Sequence, residues 1–339
     1  MERDYRFTNM KIVLIFMVVM GHFLQCLGES ALRDGLHLYI SAFNMPAFMF
    51  ISGYFSKNTQ KASDTAFEKY FLPFVCMSLI YFIYYPLITD SITFRFIKPV
   101  FAAWFVLVLF YYKKILKYLV RIKNVFYISL AVALLAGMCP VITGKYALCR
   151  AIVMLPFFLA GYYTDKKTID KICSCPKIVP ALVMIAAGVG FYMFTAKFDF
   201  TIDIYINSTA YEIYGADFLE GIGIRMVYYV QAFVLTLCMC MLMPQKKYIF
   251  SYIGENTMGV YALHGIFYLY CKRNAVFEGI NPSKGVTLCV VMSIIVVLLL
   301  SLPIVNRLFY RCVDLIKKGE RYFVYGKEKH ISKAEGECV

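Results

Sequence analysis

The stretch Lys11-Ile12-Val13-Leu14-Ile15-Phe16-Met17-Val18-Val19-Met20-Gly21-His22 decides the fold. Two ionisable residues bracket an unbroken apolar run. At 1.5 Å per residue, eleven steps carry His22 about 16 Å along a helix and about three turns around it, so it shares a face with Lys11. If Lys11 marks the headgroup boundary of a hydrocarbon layer about 30 Å thick, the imidazole lies near the midplane. Ionisable side chains at that depth are expensive, and they mark function by default.

Composition extends this reading to the whole chain. Of 339 residues, 61% are hydrophobic and only 17% charged, with a mean hydropathy of +0.66. That is too little polar surface for a water-soluble domain of this size. The first run lacks a small-residue cleavage site and opens a series of similar segments, so it reads as a retained span and not as a signal peptide. Counting it, there are ten apolar runs, at 11–28, 37–56, 70–89, 95–112, 125–143, 147–163, 178–196, 225–243, 250–271 and 286–306. The expected fold is an all-α, polytopic membrane bundle of about ten transmembrane helices. Neither a transporter-like repeat nor a Gly/Ser/Pro-rich linker divides it. Residues 1–316 read as one membrane-embedded domain and 317–339 as a basic cytoplasmic tail.

With ten spans, 25 of the 35 Lys and Arg residues fall on the side of the N-terminus. The positive-inside rule then places both termini in the cytoplasm. The net charge of +14 is accounted for by topology and by attraction to anionic lipid, and no motif points to nucleic acid. The twelve cysteines lack framework spacing, and most lie in spans as small hydrophobes. Cys173 and Cys175 form a Cys-x-Cys pair without two further zinc ligands nearby, so no metal is expected.

Several local patterns line up in chain order. Arg6-Phe7-Thr8-Asn9 precedes Lys11-x10-His22. Span two carries Phe43-Asn44-Met45-Pro46 and continues to Ile51-Ser52-Gly53-Tyr54. Then come Phe71-Leu72-Pro73-Phe74, Trp104-Phe105-Val106-Leu107, Arg150 with Leu155-Pro156-Phe157-Phe158, and Ile253-Gly254-Glu255-Asn256 leading to Tyr261 and His264. In order and spacing the chain resembles the acyltransferase 3 family of integral-membrane acyltransferases over residues 3 to 310, with its closest feel in the fucose 4-O-acetylase-like branch. The resemblance implies transfer of an acyl group, usually acetyl, from cytoplasmic acyl-CoA to a hydroxyl of a cell-envelope glycan or lipid-linked saccharide. It maps the family's basic-x10-His signature onto Lys11 and His22, its Arg before the sixth span onto Arg150, and its Trp-Phe-x-Leu onto Trp104 to Leu107. Two positions depart from the family pattern. Thr8 stands where an acidic residue is common, and Phe67-Glu68-Lys69-Tyr70 stands where an Arg-x-x-Arg pair often opens the third span.

The chemistry can be argued from the side chains as well. An alcohol attacking a thioester must lose its proton, and imidazole has the unperturbed pKa suited to that task near neutrality. His22 is therefore the expected general base. His264 lies in the ninth run at a similar depth, with Tyr261 on the same helix face, and these two are expected as catalytic or supporting groups. Trp104, the only tryptophan, falls near mid-depth and reads as a pocket wall. Arg150 is expected on the acceptor side, where a guanidinium clamps phosphate or sugar oxygens. Lys11 and Lys69 are expected to meet the phosphates of acetyl-CoA, with Lys113, Lys114 and Lys117 as further candidates, and no permanently bound cofactor is expected. Ser52, Gly53, Tyr54, Glu255 and Asn256 read as a border to the thioester entrance. His37 and His330 carry no expected role. The outward loop from Lys197 to Ile224 interleaves Asp199, Asp203, Glu212, Asp217 and Glu220 with Phe198, Phe200, Tyr205, Tyr211 and Tyr214, a mixture suited to carbohydrate and equally to a solvated loop. The expected partners are the lipid bilayer, acyl-CoA and an envelope saccharide, and the expected location is a bacterial inner membrane. A competing reading is a secondary transporter or flippase that uses His22 as a proton relay.

Overall fold

A computed structural model describes residues 4–88, 99, 101–139, 145–198, 205 and 210–336, and the regular structure among them is entirely helical. In chain order these are α1 (Arg6–Leu24), α2 (Ala31–Tyr54), α3 (Thr59–Asp64), α4 (Leu72–Ile88, entered through a π turn at Phe67–Phe71), α5 (Ala103–Leu119), α6 (Val125–Leu135) and α7 (Leu148–Tyr163). They continue with α8 (Lys166–Ile172), α9 (Ile178–Lys197), α10 (Phe218–Leu242), α11 (Ser251–Glu255), α12 (Thr257–Arg273), α13 (Pro282–Leu300) and α14 (Pro303–Gly336). Asp199, Phe200 and Asp203 of the acidic and aromatic loop lie outside the described residues, as does the start of the run at 95–112.

A helix occupies each of the ten apolar runs, but the expectation of ten spans narrows. Six helical segments among the described residues are long and apolar enough to cross a membrane: Arg6–Leu24, Phe67–Leu87, Lys145–Tyr163, Ile178–Lys197, Phe218–Leu242 and Pro282–Leu300. The others fall short for local reasons. α5 and α12 have 17 residues each and α6 has 11, while α2 carries His37 and Asn44 in its apolar half. The last helix, α14, runs through residue 316 to Gly336.

Burial ranks the helices from centre to rim. Two-thirds of the apolar window of α1 is buried against 17% of that of α9. Met10, Leu14, Ile15, Phe23 and Leu24 of α1 are all fully buried, so this helix has neighbours on every side. The exposed faces of α9 present Leu182, Ile185, Val189 and Met193. Apolar side chains on such a surface suit lipid, which solvates them as well as protein does.

Small residues set the closest approach in the bundle. A Cβ placed on Gly53 of α2 would lie 1.9 Å from the carbonyl oxygen of Phe158, and one on Gly161 of α7 would lie 1.9 Å from that of Phe50. Each helix thus presses its backbone into the gap left by the other's missing side chain. Lys57, just past α2, seals the crossing by donating to the carbonyls of Gly161, Tyr162 and Thr164 at the end of α7, where the last turn of any helix leaves acceptors unpaired.

The end of the bundle at which α1 begins is pinned by polar contacts. Arg6, 2% exposed, pairs with Asp170 of α8 at 3.2 Å. Asn9 donates to the carbonyls of Pro244 (2.8 Å) and Lys246 (3.0 Å) and accepts from the Ser251 hydroxyl (3.0 Å). Higher up, Asn44 of α2 donates to Leu14 O (3.2 Å) and accepts from Val18 N (3.1 Å). These bonds fix the depth of α1, and with it the height of His22 against the other helices.

Candidate active site

His22 occupies the last turn of α1, and Gln25 is the residue that ends the helix. Three rings surround the imidazole, with centroids at 4.3 Å for Phe101, 5.2 Å for His264 and 5.5 Å for Tyr268. Phe101 reaches this place at a backbone cost. Its φ of 51° lies in the left-handed region that non-glycine residues avoid, a strain worth about 1–3 kcal/mol that concentrates at functional sites. Gly265 makes the room, because a Cβ there would stand 2.2 Å from the Tyr81 hydroxyl and 2.5 Å from the Phe101 ring.

Hydrogen-bond partners constrain how the two central imidazoles carry their protons. His264 Nδ1 lies 2.9 Å from the carbonyl oxygen of Val260, one turn earlier on α12. A carbonyl only accepts, so Nδ1 donates, and neutral His264 keeps a bare lone pair on Nε2. That atom is buried and has no hydrogen-bond partner. The Gln25 amide nitrogen only donates, and it faces His22 Nδ1 at 3.5 Å and His37 Nε2 at 3.3 Å. Its oxygen accepts from Tyr268 (3.3 Å). Gln25 therefore ties His22, His37 and Tyr268 together and presents a donor to Nδ1 of His22. At 3.5 Å that contact is long, so an entering hydroxyl competes for the nitrogen against a weak bond.

A cavity of about 260 Å³ opens against these groups, lined among others by His22, Gln25, His37, Trp104, Arg150 and Tyr261. The Arg150 guanidinium lies 4.7 Å over the Trp104 ring, a cation–π contact that holds its planar fork in place. Tyr261 donates its hydroxyl proton to the Ala102 carbonyl, which fixes its ring between this cavity and a second one. The second cavity, about 280 Å³, is lined by Lys11, Ser52, Tyr70, Phe105, Lys113 and again Tyr261, among others. Lys113 is only 5% exposed. Its ammonium group donates to Ser52 O (3.0 Å) and to the Ser56 hydroxyl. The two cavities follow one another along α1, the first beside Met17 to Gln25 and the second beside Lys11 and Ile15.

The structure thus brings His22, Trp104, Arg150 and Tyr261 to one cavity and sets His264 against His22. Lys11 lines the other cavity, together with Lys113. Lys69 lines neither. Ser52 borders the second cavity, whereas Gly53 serves the helix crossing instead. His37, given no role from sequence, stands in the wall of the first cavity. Tyr205 was read from sequence only as part of the outward loop, and Gln25 and Phe101 went unnoticed there. Gln25 alone left a trace there, as the polar residue one turn beyond His22.

An intramembrane histidine cluster backed by a basic cavity defines a class, that of helical membrane proteins with chemistry or transport at mid-bundle. The comparison with known families fixes which one. The chain matches the acyltransferase 3 family, described as an acyltransferase domain, over residues 4–304. It belongs to that family and is a multi-pass membrane acyltransferase. No curated protein and no solved structure matches the chain.

Proposed function

We propose that the protein is an O-acetyltransferase of a bacterial inner membrane that moves acetyl from cytoplasmic acetyl-CoA to a hydroxyl of an envelope saccharide. The observation that carries this reading is the pairing of His22 with a His264 whose Nε2 is bare, at a cavity shared with Arg150 and adjoining the Lys11 cavity at Tyr261. The acetyl donor fits the second cavity: Lys11 and Lys113 supply positive charge for phosphates, and Phe105, Val106 and Leu109 supply an apolar lining for a thioester arm.

In the reaction, His22 Nδ1 takes the proton of the acceptor hydroxyl as its oxygen attacks the thioester carbonyl carbon. The tetrahedral species collapses, the C–S bond breaks, and His22 returns the proton to the departing thiolate, giving the ester and free CoA. While His22 is protonated both its ring nitrogens donate, and the lone pair on His264 Nε2 is a buried acceptor beside it. Arg150 orients the acceptor through its oxygens, stiffened by Trp104.

Membranes containing the protein and radiolabelled acetyl-CoA test this directly. Label should pass to envelope saccharide, and His22→Gln should reduce transfer by about 10²- to 10⁴-fold, the range for loss of a general base, with the protein still inserted. Near-normal transfer by that variant would overturn the mechanism. In the same assay Lys11→Gln should raise the acetyl-CoA concentration for half-maximal rate with little change in kcat, while Lys69→Gln should leave both unchanged.

A further inference from the structure

Two successive residues of α2 face two different cavities. His37 lines the reaction cavity, and Leu38 lines a larger one of about 670 Å³ between α9 and α10. Tyr205 borders both. Its hydroxyl donates to Gln231 at 2.6 Å, and Gln231 faces the larger cavity, whose other walls are almost wholly apolar: Ala187, Phe191, Val227, Val234 and Leu235 among them. The rim looks away from the protein. Phe194, Val227 and Val230 are 37%, 53% and 64% exposed, on helices long and apolar enough to face lipid. Gly190 and Gly223 also line this cavity, and a Cβ on either would meet nothing within 4 Å. Both helices thus keep open a space that almost any other side chain would fill.

We propose that this cavity binds the hydrocarbon chain of a lipid-anchored acceptor, whose hydroxyl-bearing head then lies at Arg150 and His22. The proposal rests on the acyltransferase reading and names its substrate class. Its volume falls within the range of ligand pockets, about 300–1,000 Å³. Position assigns the chain to the acceptor and not to the donor. The apolar cavity meets the reaction cavity at His37 and Tyr205, whereas the Lys11 cavity meets it at Tyr261. The chain would gain nothing by leaving bulk lipid for protein of equal apolarity. Selection therefore comes from the head, and the cavity supplies a sideways route by which an anchored head reaches a buried histidine.

The test uses a hexadecyl glucoside with a diazirine on its alkyl chain, photolysed with the full-length protein in phosphatidylcholine vesicles. Cross-links should map to α9 and α10 around Phe191, Phe194 and Val227, and excess unmodified hexadecyl glucoside should suppress them where excess dipalmitoyl phosphatidylcholine does not. Gly190→Leu and Gly223→Leu should each lower this labelling about tenfold, as filling a pocket with one apolar side chain does. Gly188→Leu, whose Cβ also has open space but which does not line the cavity, should label like wild type. Equal suppression by phosphatidylcholine, or labelling indifferent to Gly190 and Gly223, overturns the proposal. Acetyl transfer is measured separately in the same vesicles. Site-specific labelling in a protein that transfers no acetyl from acetyl-CoA would sink the catalytic reading and leave the chain site standing. Transfer to methyl glucoside that is intact in the two glycine variants, without specific labelling, would sink the chain site alone.

Discussion

In the proposed reaction His22 and Arg150 act through different kinds of contact, and substitutions should separate them. Arg150 holds its guanidinium 4.7 Å over the Trp104 ring, a contact that favours the delocalised, weakly hydrated guanidinium and that an ammonium group reproduces poorly. Arg150→Lys should therefore behave nearly like Arg150→Met, each raising the acceptor concentration for half-maximal rate by about tenfold, the equivalent of 1.4 kcal/mol, while the dependence on acetyl-CoA stays unchanged. Rates measured against a range of both substrates check this, and full rescue by lysine would show that charge alone matters. His22, Arg150 and Trp104 were legible in the sequence because each is chemically out of place in an apolar run. Gln25 and Phe101 were not. An amide at a helix end and a phenylalanine among thirty carry no such signal, and what makes them matter is a hydrogen bond to two histidines in one case and a left-handed backbone in the other.

Helix packing sets where those side chains meet. Because Gly53 and Gly161 each receive the other helix's carbonyl, alanine at either position forces backbone against backbone, which has no flexible end to move aside. Gly53→Ala and Gly161→Ala should each destabilise the protein by about 1–3 kcal/mol, the usual range for overpacking, seen as a lower midpoint of thermal unfolding in detergent. Gly188→Ala, with open space around it, should not. The existence of the helices was readable from apolar periodicity, and one appears in each of the ten runs. Their capacity to span was less so. Hydropathy summed over a run does not register that α5 begins only at Ala103 and carries Lys113, Lys114 and Lys117 in its second half, or that α12 starts afresh at Thr257 after the one-turn α11.

Across the whole molecule, the basic loops gather at the end where α1 begins, and the turn after His22 lies at the other. If the positive-inside rule orients this bundle, a cysteine at Lys123 faces the cytoplasm and one at Glu278 faces outward. In a background without native cysteines, an impermeant maleimide applied to intact cells should label Glu278→Cys and reach Lys123→Cys only after permeabilisation; the reverse pattern would invert the topology. The distribution of charge along the chain is what suggests this orientation. The succession of cavities was not legible there, since Lys11, Lys113, Tyr261 and Tyr205 come from four distant parts of the sequence and only the folded bundle lines them up.

Tyr261 stands where two chambers adjoin, lining both and held by its hydrogen bond to Ala102. In an energised membrane that position has an electrical meaning. A continuous file of water from the Lys11 side to the Arg150 side would be a conductor between two compartments whose potential difference is worth about 2.3 kcal/mol per elementary charge at 100 mV. Protons would run down it past the two histidines and discharge the cell with every opening. The phenol ring would act there as an insulator, and the proposed reaction suits it: acetyl goes one way and the hydroxyl's hydrogen the other, so no net charge passes from one chamber to the other.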